Sequence, residues 1–284
     1  MKFFICGCNG MAGHTISLYL QEKGHDVYGF DLKESKYIKS FACNAFDTET
    51  IARVIKDGKY DTVINCIGVL NQYAENNHAL AAFLNSYFPH FLAKTTEGAD
   101  TQVIHMSTDC VFSGNKGDYI ESDLRDNETF YGRSKALGEL EDEKNVTMRD
   151  SIVGPDINPN GPSLLNWFMA QTDEVKGFTN KMWTGLTTLE LAKAMEAAAE
   201  ERTHGLFNMV PERAISKYEL LKLFNHYLKN DSLKVNAVEG APANLSLKRT
   251  RYEFSYLIPD YDKMVAELAE WIVKHKEMYP HYNL

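Results

Sequence analysis

Tyr131 and Lys135 stand four residues apart, downstream of a strand end that carries the hydroxyl of Thr108. On a helix, residues at i and i+4 share a face. The Lys135 ammonium then favours the phenolate and lowers a phenol pKa that is about 10 when unperturbed. Such a pair donates and accepts a proton near neutral pH. Thr108 can hold a carbonyl oxygen against Tyr131 while a hydride arrives from another direction. Chance alone supplies such a pair in a chain this rich in tyrosine and lysine, and Tyr218 with Lys222 is a second copy. That copy follows neither a glycine turn nor a hydroxyl-bearing strand end, and it reads as a surface helix face. Position in the chain singles out Tyr131.

The elements before it supply that position. An apolar strand, Lys2 to Cys6, runs into Gly7-Cys8-Asn9-Gly10-Met11-Ala12-Gly13 and then a helical pattern that Gly24 stops. Strand, glycine turn and helix together make a dinucleotide site, because free N–H groups at the helix start meet a pyrophosphate. The spacing is G-x-x-G-x-x-G, and the alternative is that the glycines only serve a tight turn. A second strand, Asp26 to Phe30, ends at Asp31, whose carboxylate suits ribose hydroxyls and repels a 2′-phosphate. That favours NAD(H) over NADP(H). Lys33 as a phosphate contact keeps NADP(H) open, and Asp31 can also be a simple strand-end turn former.

A helix from Thr48 to Lys56 leads to a strand, Asp61 to Cys66, ending in Cys66-Ile67-Gly68. The pattern then predicts one long helix over 75–96. Asn85 lies within it, either binding a water or backbone group under the site or lying on the helix surface. The fourth strand, Gln102 to Met106, delivers Ser107 and Thr108 at its carboxyl end, where open α/β sheets bind ligands. His105, inside that strand, reads as a core residue. A fifth strand, Asn145 to Met148, precedes a looser order: helices over 164–170, 189–200, 216–229 and 260–276, with strands over 175–178, 205–209 and 233–238. The expected fold is α/β: a Rossmann doubly wound parallel sheet over residues 1–153, with a smaller C-terminal substrate-binding lobe over 154–284, partly interleaved with the first.

At 284 residues the chain can bury a substantial core, and 44% hydrophobic with 24% charged residues is ordinary for a globular protein. A net charge of -9 argues against a nucleic-acid partner. No apolar run approaches the ~20 residues of a membrane helix, and polar residues break up the N-terminus too early for a signal peptide. Five cysteines, an odd number with three in or beside strands, suit reduced thiols and a cytoplasmic location. The Asn-x-Ser/Thr triplets then carry no weight as glycosylation sites. Neither histidines nor cysteines show metal-ligand spacing, so no metal is expected.

Gly7-x-x-Gly10-x-x-Gly13, Asp31, Ser107-Thr108-Asp109-x-Val111-Phe112 and Tyr131-x-x-x-Lys135 stand in one order, followed by Gly114, Glu121 and Asp123. This resembles the extended short-chain dehydrogenase/reductases, and within them the dTDP-4-dehydrorhamnose reductase group. The resemblance extends through Arg149 with Ser151 and Gly185 to Ala192. It implies an NAD(P)H-dependent reduction of the 4-keto group of a nucleotide-linked 6-deoxysugar, in polysaccharide biosynthesis. Thr108 would bond the keto oxygen, Tyr131 would protonate it, and Lys135 would bind the nicotinamide ribose and lower the Tyr131 pKa. The resemblance also implies cofactor contacts at Gly7, Asn9, Gly10, Met11, Ala12, Gly13, Asp31, Leu32, Asn44, Ala45, Cys66, Ile67, Gly68 and Ser107. Asn44 would lie near adenine. Val69, Thr108, Asp109, Cys110 and Ile152 would line the sugar, and a homodimer is one option for assembly.

Two positions depart from that group: Cys110 replaces an aromatic residue and Ile152 a tryptophan. Both lie near the sugar in relatives, so the hexose stays open, with a UDP-linked 2-acetamido-6-deoxyhexulose as rival. Lys248, Arg249 and Arg251 could meet the diphosphate or form a solvated loop. Two other functions fit the same motifs: an epimerase that keeps its NAD and returns the hydride, and a non-catalytic subunit like the regulatory subunit of methionine adenosyltransferase.

Overall fold

The computed structural model describes residues 1–241 and 243–284. The chain opens with β1 (Lys2–Cys6), α1 (Met11–Glu22), β2 (Asp26–Asp31), β3 (Lys39–Ala42), α2 (Thr48–Gly58) and β4 (Thr62–Asn65). Then come α3 (Asn71–Asn76), α4 (His78–Ala81), a π-helical turn over Ala82–Tyr87, α5 (Phe88–Thr95), β5 (Gln102–Met106), α6 (Phe130–Leu137) and β6 (Val146–Arg149). Beyond them lie β7 (Ile152–Val153), α7 (Leu164–Met169), β8 (Glu174–Phe178), β9 (Lys181–Trp183), β10 (Leu186–Thr187) and α8 (Thr188–Glu201). The chain closes with β11 (Gly205–Asn208), β12 (Ile215–Ser216), α9 (Lys217–Lys229), β13 (Lys234–Val238), β14 (Ala243–Asn244) and α10 (Tyr261–Lys274).

Seven strands form one parallel sheet in the order β11-β6-β5-β4-β1-β2-β3. This is the doubly wound Rossmann arrangement, with its crevice where the order reverses at β1 and β4. Helices cover both faces, so β4, β5 and β6 are buried almost throughout, their polar members Thr62, Asn65, Gln102, His105, Thr147 and Arg149 included. The sheet's last strand, β11, comes from beyond residue 154, and α8 packs on α1. Smaller pairings, β7 with β10, β8 with β13, and β9 between β12 and β14, build the C-terminal part. Among the described residues no helix is long and apolar enough to cross a membrane.

Two differences from the sequence reading have physical causes. β3 is a four-residue edge strand with no fully buried residue, so it lacks the apolar alternation that marks a strand. The helix expected over 75–96 starts at Asn71 and is broken at Asn77, whose side chain caps α4 by accepting from the Leu80 N–H at 3.0 Å. It then widens into the π turn before α5.

Candidate active site

Gly7 has φ +79, and a Cβ on Gly13 would stand 2.0 Å from the Gly7 carbonyl oxygen, so helix α1 can press onto the turn only with glycine there. Gly10 precedes α1 without a side-chain cap, and the first turn of the helix holds no acidic residue. Its leading N–H groups therefore face outward without a side-chain acceptor, the arrangement that receives a phosphate. Asp31 is tied to this turn. Its carboxylate accepts the Asn9 N–H at 3.0 Å and the Leu32 N–H at 2.7 Å. The Cys43 N–H donates to the Asp31 carbonyl at 2.8 Å, which brings exposed Asn44 and buried Ala45 beside exposed Leu32. Cys66, Ile67 and Gly68 leave β4 at the switch point. These residues fit a dinucleotide.

Across the crevice, β5 ends at Ser107 and Thr108, both buried. The Ser107 hydroxyl donates to Glu139 at 2.6 Å. A single 3-10 turn over Asp109–Val111 follows, with the Cys110 N–H donating to the Thr108 hydroxyl at 3.2 Å. Helix α6 begins at its cap Thr129, which accepts the Gly132 N–H at 3.1 Å. A Cβ on Gly132 would stand 2.5 Å from the Cys110 carbonyl oxygen. That close approach lets α6 carry Tyr131 to the Thr108 hydroxyl, which opposes the upward shift of the phenol.

Lys135, one turn on, is buried and donates to the Met106 carbonyl at 2.6 Å. Burial pulls its ammonium down to about 8, against Glu139, Asp150 and Cys66. Tyr131 does not show the lowered pKa expected of the pair. Burial, with Cys110 adding, pushes the phenol above its ordinary value. Lys135 spends its charge on the Met106 carbonyl, and desolvation of the phenolate prevails.

Asn85 lies in the π turn and is fully buried, not on the surface. It accepts the Val69 N–H at 2.8 Å and donates to the Val69 carbonyl and to the Ser134 hydroxyl, both at 3.0 Å. It thus ties the loop after β4 to α6. Val69, Cys110 and Tyr131 share one apolar cluster. Ile152, on β7, packs instead against the main core. His105 is fully buried in that core, bonded to Asn65 at 3.1 Å.

The basic cluster is not available to a diphosphate as a unit. The Arg249 guanidinium donates to the carbonyls of Arg251, Tyr256 and Phe254. Arg251 donates to the Leu206 carbonyl and lies over Phe207. Arg249 holds the loop's own backbone and Arg251 ties the loop to β11 and pairs with Glu253, so that of the three only Lys248 is left exposed.

Three residues absent from the sequence reading stand at the site. Glu75 accepts the Tyr131 N–H at 3.0 Å. Asp150 is 1% exposed, with one carboxyl oxygen unpartnered among the described residues; burial, with Asp109 adding, pushes its carboxyl well up. A carboxylate in the apolar run after Arg149 was the available signal. Lys217 reaches the site from α9, and nothing in its local sequence marks it.

A family model described as "RmlD substrate binding domain" matches residues 1–279. The chain is 34% identical over 146 residues to a probable low-salt glycan biosynthesis reductase, Agl14, of Haloferax volcanii, over 49% of this chain and 48% of that protein. It is 32% identical over 142 residues to a dTDP-4-dehydrorhamnose reductase of Burkholderia thailandensis, over 49% of this chain and 45% of that protein. The match thus spans about half the length of these curated relatives. The fold superimposes on a Bacillus anthracis dTDP-4-dehydrorhamnose reductase, solved in complex with NADP, with a TM-score of 0.77 at 18% identity, over 97% of this chain and 100% of that one.

Proposed function

Because the chain belongs to the RmlD substrate binding domain family, we propose that it reduces the 4-keto group of a nucleotide-linked 6-deoxysugar with NAD(P)H. The observation that carries this reading is the approach of Tyr131 to the Thr108 hydroxyl, above buried Lys135 and across the crevice from the uncapped start of α1. Residues 1–153 would bind the dinucleotide and 154–284 would complete the sugar pocket. Gly7 to Gly13 would receive the pyrophosphate, Asp31 and Leu32 the adenosine end with Asn44 and Ala45, and Cys66 to Gly68 the nicotinamide side. A reduced nicotinamide, when bound, supplies the hydride.

The chain's own residues do the rest. Thr108 and Tyr131 orient the keto oxygen, and the raised phenol pKa keeps Tyr131 protonated until charge develops on that oxygen. Lys135 then stabilises the phenolate left behind. Tyr131, Val69 and Cys110 exclude water around the transfer. The anchored Asp31 carboxylate favours NAD(H) by repelling a 2′-phosphate.

The test is cofactor oxidation by the purified chain, with NADH or NADPH and a panel of dTDP- and UDP-linked 4-keto-6-deoxysugars. We expect oxidation, faster with NADH, and a loss of roughly 100-fold or more in Tyr131→Phe with dinucleotide binding retained. Unchanged turnover in Tyr131→Phe would remove the catalytic assignment. Sugar interconversion with no net cofactor oxidation would favour an epimerase.

A further inference from the structure

Lys217 opens α9, and its backbone is fixed from both sides. The preceding strand β12 pairs with β9, placing Ile215 opposite Trp183. Ser216 and Glu219 form a reciprocal capping box, with bonds of 3.1 and 2.9 Å. The Lys217 ammonium lies 4.6 Å from the centre of the Trp183 ring. That indole donates to the Ser151 hydroxyl at 2.8 Å. Ser151 follows Asp150, whose carbonyl accepts the Asp109 N–H at 3.1 Å. A continuous set of contacts thus sets Lys217 opposite the turn that carries Thr108, Asp109 and Cys110.

Asp109 and Cys110 are the groups whose charges act on the Lys217 ammonium, while burial pulls it down to about 8. Asp109 is 6% exposed, and it and Lys217 do not form an ion pair with each other. Among the described residues the Lys217 ammonium makes no hydrogen bond at all, while the Thr108 hydroxyl donates to one Asp109 oxygen at 3.1 Å. A half-buried ammonium that has no hydrogen-bond partner and a buried carboxylate close by are both better met by a polar group between them than by an apolar one. A hydroxyl suits both, accepting from the ammonium while donating to the carboxylate. A second carboxylate or phosphate would satisfy Lys217 but repel Asp109.

We propose that Lys217 and Asp109 together hold a substrate hydroxyl on the carbon next to the ketone, with Lys217 as the specificity residue supplied by the C-terminal part of the chain. This rests on the keto-sugar reductase reading, because Thr108, which touches Asp109, fixes where the ketone lies. A substrate lacking that hydroxyl leaves the Lys217 ammonium without a partner and Asp109 with only the groups of its own turn, and a site built for a hydroxyl penalises its loss far more than a site built for a methylene does.

The experiment measures kcat and KM of the full chain on a nucleotide-linked 4-keto-6-deoxyhexose and on its 3-deoxy counterpart, for the wild type, Lys217→Met and Lys217→Arg. Lys217→Met keeps an unbranched stem over Trp183 and removes the charge. We expect it to lower kcat/KM on the hydroxylated substrate by about 10- to 100-fold, mainly through KM. On the 3-deoxy substrate the loss should stay within about threefold, and Lys217→Arg should recover part of the deficit, because only the hydroxyl contact depends on the charge. Dinucleotide binding should match the wild type, and the melting temperature should not fall, because the substitution removes an unpartnered charge. Equal losses on both substrates, or no loss on either, would overturn this role while leaving the reductase reading intact. Failure of the wild type to turn over any keto-sugar would overturn the reductase reading and this proposal with it.

Discussion

Arg149 is fully buried and grips Glu139 with two parallel bonds, Nε to one carboxylate oxygen at 2.9 Å and Nη2 to the other at 2.8 Å. The same carboxylate accepts the Ser107 hydroxyl at 2.6 Å, so this pair supports the strand end that presents Thr108. Removing Glu139 leaves Arg149 charged and dry, whereas removing Arg149 leaves Glu139 paired with Arg125. Glu139→Ala should lose about 3–5 kcal/mol in urea denaturation, and the double replacement Glu139→Leu with Arg149→Met should lose less than the single one. A single variant within 1 kcal/mol of wild type, on the order of an exposed pair, would show the pair to be dispensable.

Asn85 answers both backbone groups of Val69 and reaches Ser134. Asn85→Leu leaves those groups unmet in a buried place, which costs about 1–3 kcal/mol each where no water enters. Turnover should fall further than dinucleotide affinity, since Ser134 belongs to the helix of Tyr131 whereas the glycine turn is untouched. Steady-state kinetics beside a dinucleotide titration separates the two.

Gly132→Ala tests the approach of α6 to the 3-10 turn. The added carbon would meet the Cys110 carbonyl oxygen at 2.5 Å, a backbone atom that cannot swing aside. Tyr131 should retreat from Thr108, and kcat should drop by tenfold or more, in the way small misplacements act elsewhere. Exposed Arg133, one residue along, should tolerate alanine with little change in the same assay.

Burial sets opposite pH trends for activity and stability. Lys135 titrates near 8 in the fold against 10.5 when unperturbed. Its charge is lost as pH rises through about 8, so kcat/KM should decline above that point. Between about 8 and 10.5 the unfolded chain binds more protons at this site than the folded one, so Lys135 contributes increasing stability across the same window. Lys217 adds a second contribution of the same sign. Cys6, Cys8, Cys66 and Cys110, whose thiols burial pushes up, act in the opposite direction above about pH 9, so chemical denaturation at several pH values should show a less positive slope in Lys135→Met than in the wild type.

His14 contributes on the acid side, together with His105, whose pKa burial lowers in the same direction. The His14 ring bonds the Gly10 carbonyl and the Tyr279 hydroxyl, both at 2.9 Å, and burial lowers its pKa from 6.5 to about 4. The unfolded chain takes up a proton below pH 6.5 that the folded chain refuses until about 4. Stability is therefore lost as pH falls through that window, by up to about 3 kcal/mol from this residue. His14→Gln should flatten that part of the profile; an unchanged slope would assign the acid loss to other groups.

Much of this arrangement was legible because it is local. Apolar runs announce β1, β4 and β5, and glycine spacing announces the turn before α1. The motif order put forward Thr108, Tyr131 and Lys135 as candidates, which the fold gathers at one end of the sheet. What escaped depends on contacts between distant segments. Lys217 looks like any helix-start lysine until β12 pairs with β9. The direction of the Tyr131 shift follows from burial, which a sequence spacing does not report. Arg249 and Arg251 read equally as a diphosphate contact or a solvated loop, because charge is visible in sequence and their backbone carbonyl partners are not. His25, Glu196 and Glu200 approach within 4.8 Å although one lies on β2's approach and two on α8.

The π-helical turn at Ala82–Tyr87 has a mechanical consequence. One residue added to a helical turn rotates the following face by about 100°. Before the turn, Ala81 packs with Val69 and Tyr131; after it, Phe88 and Leu92 pack with Phe4 and Val103 under the sheet. A single rod therefore engages two separate interiors, and Asn85 sits at the joint. Tightening around Tyr131 has a rigid route through this joint, so amide exchange in α5, on the far side of the π turn from Tyr131, should slow when a ligand closes the crevice.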